Sequence, residues 1–164
     1  MIDAFKTNGS SPPQRARAIR YRLRTVSLKL NEPPAAAVSS SEQALAFLLP
    51  LYADLDEDRE HLVLLALDTQ NRVRGYKVVA TGGQAASVVD PKTLFRDALL
   101  LGAASIIVAH NHPSGDPTPS REDLRLTRQL VDGGKVLDLR VHDHIVLGHG
   151  DRFVSLADHG EMGA

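Results

Sequence analysis

The 164-residue chain has no cysteine and no tryptophan, and aromatic residues make up only 4% of it. Without cysteine there can be no disulfide, no thiolate metal site and no thiol nucleophile, so any metal must be held by His, Asp, Glu and water. Scarce aromatics mean that a core must be built from aliphatic side chains. No apolar run approaches the roughly 20 residues a membrane-spanning helix needs. The first eleven residues lack the apolar centre of a signal peptide, so the expected location is the cytoplasm. A net charge of −1 gives no overall attraction to nucleic acid or to a membrane surface. What is present is ordinary for a globular protein: 43% hydrophobic and 24% charged residues, in a length that suits one domain with a substantial core.

Charge is unevenly placed. Within residues 1–30, seven basic residues (Lys6, Arg15, Arg17, Arg20, Arg22, Arg24 and Lys29) face a single acid, Asp3. Such an arm suits contact with nucleic acid or an acidic partner. It equally suits a solvated tail feeding an edge strand, where Lys and Arg oppose aggregation, and that is the reading preferred here. Residues 1–37 are therefore expected to form a basic, partly disordered arm with an edge strand at Tyr21–Leu30. A single domain follows over 38–160, and 161–164 form a tail.

Along that domain, Ser39, Ser40 or Ser41 can cap a helix bearing Leu45, Phe47, Leu48, Leu51 and Tyr52, with Pro50 expected to kink or shorten it. Glu60 opens the run His61–Asp68, which reads as a strand buried on both faces. Thr69–Arg72 reads as a hairpin turn begun by Asp68, and Val73–Ala80 as the returning strand. Ser87–Val89 reads as a short extended piece. Asp90-Pro91 starts a second helix, with Leu94, Phe95, Ala98, Leu99 and Leu101 inward and Gly102 at its end. Ser105–Ala109 is a short apolar strand ending on His110. A helix begins at Ser120, with Leu124, Leu126, Thr127, Leu130 and Val131 as its apolar positions and Gly133-Gly134 as its stop. Val136–Gly148 should supply one or two strands, and Phe153–Ser155 a last one. This order implies a mixed sheet with helices packed on it.

The loop from His110 to Asp123 carries the chemistry. Two imidazoles spaced two apart at a strand end can turn to one side. Asp123, in the first turn of the next helix, points back toward them near the positive helix end. Two His and one Asp leave the fourth tetrahedral position open to water, the pattern of a catalytic rather than a structural zinc site. Glu60 can serve as general base if the fold brings its strand mouth beside the His pair. Ser120 can donate to a tetrahedral oxyanion. Pro113, Pro117 and Pro119 stiffen the loop, and Gly115 permits a turn other residues resist. The more ordinary reading of Ser120-x-x-Asp123 is a helix cap, but it leaves His110 and His112 unexplained.

Other candidates rank lower. His142 and His144 are expected to have a structural role or to support a metal-bound His, and Asp143 to orient one. His61 should face away from Glu60. His149 and His159 belong to the surface, and Asp116 and Thr118 to a turn. A contiguous His-Asn-His is not the dispersed motif of HNH nucleases. A zinc nucleobase deaminase needs Pro-Cys-x-x-Cys, which a cysteine-free chain cannot supply.

Glu60, His110-x-His112 and Ser120-x-x-Asp123 together resemble the JAMM motif of JAB/MPN metalloproteases. His110-Asn-His-Pro-Ser-Gly-Asp116, Pro119-Ser120 and Asp143-His144-Ile145-Val146 resemble the RadC-like JAB branch, over about residues 38–160. The resemblance implies a cytidine-deaminase-like α/β three-layer sandwich. It implies one Zn2+ per chain on His110, His112 and Asp123, with Glu60 as general acid/base and Ser120 as oxyanion donor. It further implies hydrolysis of peptide or isopeptide bonds, often beside a ubiquitin-like tail. Many RadC proteins carry an N-terminal helix-hairpin-helix region associated with DNA. The short N-terminal stretch here departs from that pattern. Two functions of other classes stay open on the sequence: a non-catalytic metal-binding scaffold or DNA-associated accessory, and a metal-dependent phosphodiesterase.

Overall fold

The structure, a computed structural model, describes residues 37–82 and 89–163. The basic arm, the extended reading of Tyr21–Leu30 and most of Ser87–Val89 lie outside the described residues. Within them the elements are α1 (Ser41–Ala53), β1 (His61–Leu67), β2 (Val73–Thr81), α2 (Pro91–Leu100), β3 (Ser105–Asn111), α3 (Arg121–Leu137), β4 (Arg140–Leu147) and β5 (Phe153–Ser155). The strands form one mixed sheet in the order β2-β1-β3-β4-β5. Only the β3–β4 pair is parallel. Parallel neighbours need a crossover, and α3 provides it.

The sheet is covered on both faces. Val63, Leu65, Leu67, Ile107, Ala109, Ile145 and Leu147 pack with Ala44, Leu45 and Leu48 of α1. Leu62, Leu64, Ile106 and Val108 pack with Leu94, Phe95 and Ala98 of α2 and Leu126 and Leu130 of α3. The result is a three-layer α/β sandwich, with α1 on one side and α2 and α3 on the other. β1 sits between β2 and β3 and is buried along its whole length, which is why its sequence is apolar without alternation. Each fully buried Leu or Val there is worth about 1.5–3 kcal/mol of transfer free energy.

The local signals act as their chemistry requires. Ser40 caps α1 through Gln43 N. The helix passes Pro50 and continues to Ala53. The carbonyl that loses its partner belongs to Ala46, which is exposed and can be hydrated. Asp68 organises the hairpin, its Oδ1 accepting from Gln70 N (2.8 Å) and Arg72 N (3.0 Å) while Asn71 takes φ 58°. Asp90 caps α2 through Lys92 N. That helix buries Asp97, a residue outside the expected stripe, and leaves Leu99 exposed. Asp97 accepts from Lys77 of β2 and from Arg96. Burial pushes its pKa up, but these two cations outweigh burial and hold it below the ordinary value.

Gly133-Gly134 does not stop α3, which runs on to Leu137 and ends on Asp138 at φ 51°. Both glycines are close-approach positions. A Cβ on Gly133 would lie 2.7 Å from the Phe95 ring, and one on Gly134 2.5 Å from Leu139 O. The helix thus takes up Val136 and Leu137, and β4 begins only at Arg140. Leu124 and Val131 are only partly buried, whereas Asp123 and Thr127 are buried among the inward positions of α3.

Candidate metal centre

β3 carries His110 on the face covered by α2 and α3, because the side chains of Ile106, Val108 and His110 alternate to that side. His110 is fully buried at the carboxyl end of the strand. The chain then turns. His112 N donates to Leu147 O (2.8 Å), Gly115 N to His112 O (2.8 Å), and Arg152 Nη2 to Gly115 O (2.7 Å). Gly115 takes φ 78°, and a Cβ there would stand 2.3 Å from the His149 ring. Asp116 Oδ1 accepts from Thr118 N and Oγ1, the expected turn role. The loop is therefore strapped to the β4–β5 turn before it enters α3.

At the start of α3, Ser120 and Asp123 form a complete capping box. Asp123 Oδ2 accepts from Ser120 N and from Ser120 Oγ, both at 2.7 Å. The cap reading of these two residues is thus correct, and it coexists with a second duty. The same carboxylate lies with Oδ1 3.2 Å from His110 Nε2 and Oδ2 3.5 Å from His112 Nε2. The two Nε2 atoms are 3.0 Å apart.

This geometry fits a metal. Ligand atoms placed about 2.0–2.1 Å from a tetrahedral centre stand about 3.3 Å from one another; here the shortest contacts, which reach the two Asp123 oxygens separately, run from 3.0 to 3.5 Å, and one ligand atom of each residue lies within 4.8 Å of the others. Ring protonation agrees. His112 Nδ1 is 2.8 Å from Asp116 O. A carbonyl only accepts, so Nδ1 carries the proton and, in the neutral ring, Nε2 presents a lone pair to the site. Among the described residues, His110, His112 and Asp123 are the one group of three or more His, Asp or Glu side chains close enough to hold an ion.

The electrostatics are those of a carboxylate between imidazoles. Burial pushes Asp123 upward, but in the metal-free site protonated His110 and His112 rings bonded to it outweigh burial, so its carboxyl lies far below the usual range. The hydrogen bond with Asp123 raises His112, against the effect of burial.

Glu60 stands just ahead of β1. β1 and β3 are antiparallel with Leu62 opposite His110, so the chain entering β1 and the chain leaving β3 lie at the same end of the sheet. Glu60, His112, Ser120 and Asp123 line one cleft of about 420 Å³, together with Ser114 and Glu122. The five residues singled out from the sequence are therefore brought together. A larger groove, about 670 Å³, lies along α2 and α3 between Phe95, Leu99 and Leu137. It is lined by no His, Asp or Glu and offers no ligand set.

Three contributors were missed or misassigned on the sequence. Asn111 lies between the two His. Its Oδ1 accepts from His61 N (2.7 Å) and its Nδ2 donates to Arg59 O (2.9 Å). It thereby holds the backbone on both sides of Glu60, and Gly82 N donates to Glu60 O (2.9 Å). His144 is fully buried with Nε2 2.9 Å from His110 Nδ1, and Thr127 Oγ1 is 2.6 Å from His144 Nδ1. Thr127 sits at an inward position of α3, as the helix period predicts, but meets a polar partner there rather than an apolar one. Asp143, expected to orient a ligand His, touches none: it accepts from Ser155 Oγ, Ala157 N and His144 N. Burial pushes its pKa up. His144 contacts His110, while His142 is half-buried with no hydrogen-bond partner among the described residues, and desolvation lowers its pKa. His61 faces away and is satisfied by Thr81 and Asp56.

Known proteins agree with this architecture. The sequence model of the family described as "RadC-like JAB domain" matches residues 38–161. A "UPF0758 protein" of Methanococcoides burtonii is 42% identical over 129 residues, which is 79% of this chain and 55% of that protein. A "UPF0758 protein" of Roseiflexus castenholzii is 50% identical over 103 residues, 63% of this chain and 44% of that one. One from Desulfitobacterium hafniense is 38% identical over 147 residues, 87% and 61%. The chain spans about half the length of the curated relatives it matches.

Proposed function

The chain belongs to the RadC-like JAB domain family, and from that membership and the geometry of its centre we propose that it is a zinc-dependent hydrolase of peptide or isopeptide amide bonds. One observation carries the reading: one ligand atom from each of His110, His112 and Asp123 lies within 4.8 Å of the others, and two of these residues line the same cleft as Glu60. The oxygen- and nitrogen-only donor set with an open side suits zinc in a catalytic site.

His110, His112 and Asp123 would hold the ion. When bound, zinc supplies a Lewis acid and makes hydroxide available near pH 7. Glu60 takes the proton of the attacking water and returns it to the leaving amine. Its backbone, clamped by Asn111, keeps the carboxylate at the cleft mouth. Ser120 turns its hydroxyl from Asp123 to the developing oxyanion, giving up a bond inside its own helix cap. Deep burial of His110 and Asp123 excludes water from the inner side of the centre. The substrate is a peptide or protein reaching the cleft from the loop side, with a ubiquitin-like tail as the class to try first.

The test joins metal analysis to cleavage of a peptide library and of isopeptide-linked substrates. The parent should hold one zinc per chain. Asp123→Ala should lose it, and Glu60→Gln should keep it while losing hydrolysis. Full zinc occupancy in the Asp123 variant, or equal cleavage by the Glu60 variant, would overturn the assignment. A parent that holds zinc but cleaves nothing would leave a non-catalytic scaffold.

A further inference from the structure

Resting on the metal reading above, we propose that Thr127 and His144 are positioning residues that hold His110 with its proton on Nδ1 and its Nε2 lone pair aimed at the ion. The argument starts from a buried chain of contacts. Thr127 Oγ1 is 2.7 Å from Asp123 O and 2.6 Å from His144 Nδ1, and His144 Nε2 is 2.9 Å from His110 Nδ1. Thr127, His144 and His110 are all fully buried, so water supplies none of the missing donors or acceptors.

Back-bonding of a helical Thr hydroxyl to the carbonyl four residues earlier sets the polarity assigned to this chain. Asp123 O can only accept, and the Thr127 hydroxyl has one proton, which it donates there. Thr127 Oγ1 is then the acceptor, and His144 must donate from Nδ1. With that proton on Nδ1, the His144 ring presents its Nε2 lone pair to His110 Nδ1 at 2.9 Å and accepts from it. His110 is left with an unprotonated Nε2, 3.0 Å from His112 Nε2 and 3.2 Å from Asp123 Oδ1. The opposite polarity would put a proton on His110 Nε2, between the ligand atoms, where it would compete with a cation.

The contacts close a ring through three elements. α3 delivers both Asp123 and Thr127, β4 delivers His144 and β3 delivers His110. A helix displaced along its axis would move the carboxylate and the tautomer-setting hydroxyl together. The ring therefore couples ligand placement to ligand protonation.

The test measures zinc affinity of the full chain by chelator competition, with 15N spectra of the imidazoles. Thr127→Val should lower affinity about tenfold or more, as for other outer partners of metal-bound His, while Thr127→Ser stays within about threefold of the parent. His144→Gln, whose carbonyl can accept from His110 Nδ1, should bind more tightly than His144→Leu. Leu130→Ala, a core truncation on the same helix, controls for lost stability and should leave affinity unchanged. The zinc-loaded spectrum should show the His144 proton on Nδ1. Equal affinities for Thr127→Val and parent, an equal loss in Leu130→Ala, or a His144 proton on Nε2 would overturn the proposal. A parent without stoichiometric zinc would sink the metal reading instead. The metal-free spectrum then decides the relay by the same His144 criterion.

Discussion

His110-Asn111-His112 closes β3, and His142-Asp143-His144 opens β4, its parallel neighbour. The two have the same spacing and lie on adjacent strands of one sheet, offset along the strands, yet they are used differently. At β3 the strand ends inside the triplet, so the second His leaves the sheet and swings beside the first. At β4 the strand runs on, and the pairing contains a bulge. Ile106 pairs with Val141 and Ile107 with Asp143, which leaves His142 without an opposite number. A bulge inverts the alternation of side chains beyond it. Val141 and His144 consequently share the α3 face, Asp143 turns to the other, and His144 reaches His110. Identical spacing thus produces two candidate ligands in one case and one buried imidazole against them in the other. The difference lies in the backbone, not in the residues.

That comparison can be broken at several points. His110→Ala should be the most damaging, with zinc lost on desalting. The His142→Ala control should retain a full complement, and metal loss in both would erase the distinction. Asp143→Ala should cost about 3 kcal/mol by chemical denaturation, because it strands buried donors, while leaving zinc affinity near that of the parent. A large loss of affinity there would return Asp143 to the metal centre.

Asp97 supplies a buried acid away from both pairs. Its folded pKa is below the unfolded value of about 3.9, so its stabilisation is complete above that value and is lost as pH falls through the folded one. Asp97→Asn should cost about 1.5–3 kcal/mol at pH 7 and flatten the acid limb of the stability profile. An unchanged acid limb would show that the Lys77 and Arg96 contacts do not form in solution. His142→Ala, at the bulge, should have the smallest effect, about 1 kcal/mol or less. A larger loss would mean that the His142 side chain itself holds the bulge.

Much of the centre was legible because its signals are local. The two-residue spacing of His110 and His112, the Ser120-x-x-Asp123 cap, the Asp90-Pro91 helix start and the buried run of β1 each state a rule over a few neighbours. Glu60 was legible as a carboxylate at a strand mouth. Its place in one cleft with His112 was not, since that depends on the antiparallel pairing of segments about fifty residues apart. Thr127 looked apolar because a helix period reports which face is buried, not what a buried hydroxyl meets. Gly133-Gly134 looked like a stop because propensity cannot show the Phe95 ring and the Leu139 carbonyl that demand their smallness.

By itself, then, the sequence determined the ligand types, the absence of any thiolate alternative, and the strand–loop–helix that presents two imidazoles and a carboxylate. These follow from composition and short-range backbone rules. Tertiary structure alone decided that Glu60 enters the same cleft, that Asn111 grips the backbone beside it, and that a bulge at His142 turns His144 toward His110. Each of those depends on strand register, and register is fixed by the packing of both sheet faces at once.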